Sequence, residues 1–60
     1  MSKEYFIEFR HAGNAVKVSA IDPVTGTEVS IVGDPHRTEA ELSRLAVQKL
    51  EYILKKNAPK

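Results

Sequence analysis

Residues 15–22, Ala15-Val16-Lys17-Val18-Ser19-Ala20-Ile21-Asp22, decide the fold. Val16, Val18 and Ala20 alternate with Lys17, Ser19 and Ile21. That period of two is what a strand with two unlike faces requires. A turn signal stands at each end, so the stretch has a strand neighbour on both sides. It reads as the central strand of a three-stranded antiparallel sheet.

Upstream, Tyr5 to Arg10 (YFIEFR) is strand-forming by residue type and by pattern. Tyr5, Ile7 and Phe9 point one way, and Phe6, Glu8 and Arg10 the other. Gly13-Asn14 suits a two-residue hairpin loop with Gly at its first central position. That loop sets Phe9 opposite Val18 and Ile7 opposite Ala20 on one face. On the other face it sets Phe6 opposite Ile21, Glu8 opposite Ser19 and Arg10 opposite Lys17. Downstream, Asp22-Pro23-Val24-Thr25-Gly26-Thr27 is a turn: Asp before Pro starts it, and Gly26 supplies the left-handed residue that closes it. Ala20 then meets Val29, and Val18 meets Ile31. Two independent turns agree on which side of residues 15–22 is buried, and such consistency between levels is the mark of a specified fold.

Gly33-Asp34-Pro35 ends the third strand. Thr38 to Glu41 form a capping box ahead of a helix. Glu39 and Glu41 in its first turn, with Lys55 and Lys56 in its last, complement the helix dipole. Asn57 and Pro59 fit its end. Leu42, Ala46, Leu50, Ile53 and Leu54 form the main apolar stripe at helical spacing. Leu45 and Tyr52 lie off it. The expected fold is α+β: a three-stranded antiparallel β-meander followed by one C-terminal helix packed on one sheet face. Residues 1–60 form one domain, with strands near 4–11, 15–22 and 27–33, a helix near 38–56, and frayed ends at Met1 to Lys3 and beyond the helix.

Sixty residues allow one small domain, marginal on its own. Cys is absent, which excludes disulfides and thiolate metal sites. Tight packing or oligomerisation must supply the remaining stability. Nine basic and eight acidic residues leave a formal charge of +1, too balanced to draw nucleic acid or an anionic membrane. No run approaches the ~20 apolar residues of a membrane span. MSKEYF lacks the apolar core of a signal peptide, so the expected location is cytoplasmic.

The run YFIEFRHAGNAVKVSAIDPVTGTEVSIVG, followed by LSRLAVQKLEYILKK, resembles a family of very short bacterial proteins defined as a domain of unknown function. The resemblance covers Tyr5 to Lys55. It implies no activity, ligand or partner.

The catalytic inventory is thin. His11 and His36 are the two histidines, and neither has a companion ligand at a recognisable spacing. Ser19, Ser30 and Ser43 lack an obvious base. Glu39 and Glu41 are explained by helix capping. None of the three glycines belongs to a phosphate-cradling motif. The expectation is a non-enzyme with no catalytic residue, cofactor, metal or small-molecule substrate.

The outer sheet face says more. One helix covers one face and leaves the other bare, so Phe6 and Ile21 should lie exposed side by side, with Val32 further off. Phe6, Ile21 and Val32 on that face, or Leu45 and Tyr52 off the main stripe of the helix, are therefore the candidate surface for a protein partner or a second copy in a homodimer. The edge of the first or third strand is a further route to such a dimer. Arg10 opposite Lys17 sets like charges across a pair, which an anion or Glu8 would offset. Arg10, Lys17 and His11 are the contacts of the alternative, a weak nucleic-acid-binding domain reading through its sheet face.

Overall fold

The computed structural model describes residues 4–57. The expected fraying of Met1 to Lys3 and the stop at Pro59 fall outside those residues. Three strands, β1 (Phe6–Ala12), β2 (Ala15–Ile21) and β3 (Glu28–Gly33), precede one helix, α1 (Glu39–Asn57). The strands form one antiparallel sheet in the order β1-β2-β3.

Both turns close as their residues require. Gly13 has φ of +60° and Gly26 of +78°, left-handed values that a side chain resists. Asp22 organises the second turn and is itself buried. Its carboxylate accepts from the Val24 amide at 3.0 Å and from the Thr25 hydroxyl at 3.1 Å. Its carbonyl accepts from the Gly26 amide at 2.8 Å. The register is the expected one throughout: Phe6 opposite Ile21, Phe9 opposite Val18, Arg10 opposite Lys17, Ala20 opposite Val29 and Val18 opposite Ile31.

The two-residue loop also sets the phase of the hydrogen bonds. Ala12 and Ala15 flank it and exchange both of their bonds, so alternate pairs back along the hairpin do the same. The amides and carbonyls of Ile7, Phe9 and His11 therefore point away from β2, to the open edge of the sheet. Carried across β2, the same alternation pairs Ala20 with Val29 and turns the Ser30 carbonyl outward on β3. Two distances agree: the Asp22 amide donates to the Thr27 carbonyl at 2.8 Å, and Lys49 Nζ reaches the Ser30 carbonyl at 2.8 Å.

Val16, Val18 and Ala20 from the sheet meet Leu42, Ala46 and Leu50 from α1 in the core. Burying each of the larger side chains is worth about 1.5–3 kcal/mol. The buried line continues to Leu54, while Ile53, likewise half-buried, does not pack against the cluster. This corrects the expected stripe. Residues spaced by four advance about 40° per step around a helix, so the line winds to follow the twisted sheet beneath, and Ile53 falls to one side.

α1 rests on β2 and β3 and barely reaches β1. Two side-chain contacts brace its flanks. Lys49 holds the outer edge of β3, and Glu51 Oε2 accepts from the Tyr5 hydroxyl at 3.3 Å. Lys49 and Glu51 lie about 200° apart around the helix axis. The consequence is an asymmetric cover: Ile7 and Phe9, on the core face of β1, stay half-buried.

Candidate interaction surface

The face turned away from α1 is laid out in rows by the register. Phe6, Ile21 and Glu28 form the first row, Glu8, Ser19 and Ser30 the second, and Arg10, Lys17 and Val32 the third. Phe6 is 63 % exposed. Ile21 is only half-buried, which corrects the expectation of an open pair. It sits on the central strand, flanked on both sides by Phe6 and Glu28. Val32 is 74 % exposed at the diagonal corner of the face. Between them Ser19 is buried, and its hydroxyl lies 3.2 Å from that of Ser30. The apolar patch is therefore confined to one end of the face.

Leu45 and Tyr52 are exposed on α1, in the layer opposite Phe6. The five candidate residues thus divide between two surfaces. The nucleic-acid set divides too. Arg10 and Lys17 share the outer face, whereas His11 follows Ile7 and Phe9 on the other. Among the described residues Arg10, Lys17 and Glu8 make no ion pair. Among the described residues, Arg10 thus faces Lys17 with no ion pair to offset it.

His36 lies in the exposed loop before α1. It donates its amide to Asp34 Oδ1 at 2.9 Å, and its ring Nδ1 sits 2.9 Å from the same oxygen. These bonds, the backbone one foremost, lower the Asp34 pKa below its ordinary value. The pair closes a turn at the surface. Among the described residues no three His, Cys, Asp or Glu side chains gather where they could hold a metal ion. No helix among them is long and apolar enough to cross a membrane.

Sequence reasoning missed three features of these surfaces: buried Asp22, half-buried Val47 and the Lys49 contact with β3. Asp22 was legible as a turn residue, since an Asx turn draws its carboxylate inward. The Lys49 contact had no signal, because it depends on where α1 lies sideways on the sheet.

One family model matches the chain: Domain of unknown function (DUF6898), over residues 2–57. No curated protein and no solved structure matches.

Proposed function

We infer, for a chain that belongs to the DUF6898 family of domains of unknown function, a function of contact and not of chemistry. The domain is a small non-catalytic interaction module. It binds a protein surface, its own or a partner's, through the sheet face that α1 leaves bare. The observation that carries this reading is Phe6, 63 % exposed beside Ile21 on an uncovered sheet. A large aromatic next to a β-branched residue, rimmed by Glu8 and Glu28, has the composition of a docking patch. The charge pattern of the same face, with Glu8 and Glu28 set against Arg10 and Lys17, lends nucleic acid no comparable support. A location in the cytoplasm accords with a domain that works by binding.

The test compares wild type with Phe6→Ser, each immobilised and exposed to the proteins of its own cell. A protein retained by wild type and released by Phe6→Ser, with the fold unchanged by circular dichroism, supports the reading. Equal retention by both, or none by either, overturns it. A salt titration of DNA and RNA binding tests the alternative, which a salt-sensitive affinity would favour.

A further inference from the structure

A different surface, the open edge of β1, carries an inference beyond that reading. Strand β1 is seven residues long and lies at one side of the sheet. The amides and carbonyls of Ile7, Phe9 and His11 point outward from it, and no described residue pairs with them. Phe9 and Ile7, on the core face of the same strand, are half-buried because α1 is set over β2 and β3. The opposite edge differs, since Lys49 lies across the middle of β3 and occupies its outward Ser30 carbonyl. Lysine over an edge is a recognised guard against strand addition. Among the described residues, Lys49 guards the middle of the β3 edge and nothing occupies the outward groups of β1.

We propose that β1 pairs antiparallel with β1 of a second copy about a two-fold axis beside Phe9, giving a six-stranded sheet with both helices on one face. The outward groups select the register. Phe9 pairs with the partner's Phe9, and Ile7 with the partner's His11. That makes three hydrogen-bonded pairs, each exchanging two bonds. The whole of β1 is then matched, Phe6 opposite the partner's Ala12.

Charge selects the same register. Between the hydrogen-bonded pairs, Glu8 stands opposite the partner's Arg10, twice by symmetry. A slip of the pairing one way sets Glu8 against the partner's Glu8 on the axis, and a slip the other way sets Arg10 against the partner's Arg10. Like charges directly opposite one another are unfavourable, and opposite charges favourable. The centred register also places a carboxylate on the free side of Arg10, whose neighbour within its own chain is Lys17. The interface is isologous, so it closes at two copies.

Sedimentation equilibrium over a concentration series reads the assembly. Wild type is expected to show a reversible monomer–dimer equilibrium. Glu8→Arg and Arg10→Glu each weaken it by about tenfold or more, and the two together restore it. Arg10→Glu puts opposite charges across from Lys17 but a like charge beside Glu8, so thermal unfolding of each variant is measured alongside to separate lost stability from lost association. His11→Pro removes an outward amide while leaving the β1–β2 ladder intact, and it is expected to be monomeric. It serves should Glu8→Arg fail to fold. Wild type that is monomeric throughout overturns the proposal, as does a double charge reversal no better than the single ones. Dimers abolished by Phe6→Ser but unmoved by Glu8→Arg and His11→Pro also overturn it and place self-association on the outer face. A monomeric wild type leaves the outer-face reading to its own retention test.

Discussion

Tyr5 shows how one hydroxyl ties the residue just before β1 to the helix. Burial and the neighbouring Glu51 carboxylate push its pKa above the ordinary 10.0. The neutral phenol is the form that the fold favours, so its contribution is complete below 10.0 and is lost as pH rises through the raised folded value. Alkaline ultraviolet titration should show a phenol titrating late. Tyr5→Phe should remove that component, and Glu51→Gln should bring it earlier. Asp34 has the opposite sign. Its pKa is lowered from 3.8, so its turn is supported above that pH and loosens as pH falls through the folded value. Carboxyl NMR shifts of the wild type and of His36→Ala should differ there, with Asp34 titrating higher in the variant. At Gly33 the constraint is steric. A Cβ built there runs into the side chain of Leu42, which is buried and has little room to retreat. Gly33→Ala should cost about 1–3 kcal/mol in a denaturant titration, as overpacking does.

The helix is set by its ends and held by its middle. Thr38 Oγ1 accepts from the Glu41 amide at 3.1 Å, and Glu41 Oε1 accepts from the Thr38 amide at 3.2 Å. Thr38→Ala should destabilise by about 1 kcal/mol, whereas Leu50→Ala, at the centre of the core, should cost about 2–5 kcal/mol. Thermal unfolding of the two variants orders these contributions. The cap was legible in the sequence because its partners are three residues apart. The strand register was legible for a related reason: a two-residue loop and the parity of Phe9 and Val18 leave one choice. Sideways placement of the helix has no such local code. Periodicity names the face that α1 buries, but not whether that face sits over β1 or β3. The misplacement of Ile53 follows from this, because winding of the buried line depends on the crossing of helix and sheet.

At the scale of the whole molecule, one helix on three strands leaves every outward surface only partly finished. Phe6 was legible as exposed by counting layers alone. The half-burial of Ile21 was not, because it depends on neighbours from both outer strands. The division of Leu45 and Tyr52 from Phe6 was implicit in the same layer count. The contact between Lys49 and the Ser30 carbonyl was invisible in sequence, yet under the proposed pairing it would limit how an assembly grows. A sheet able to pair at both edges would add copies edge to edge without limit and end as a filament. With Lys49 lying across the middle of β3, the proposed β1 pairing would stop at two copies. Lys49→Ala should leave folding stability within about 0.5 kcal/mol, as surface changes do. Its solutions should nevertheless scatter light at concentrations where wild type stays clear. A single ammonium group would then separate a finite particle from a fibre.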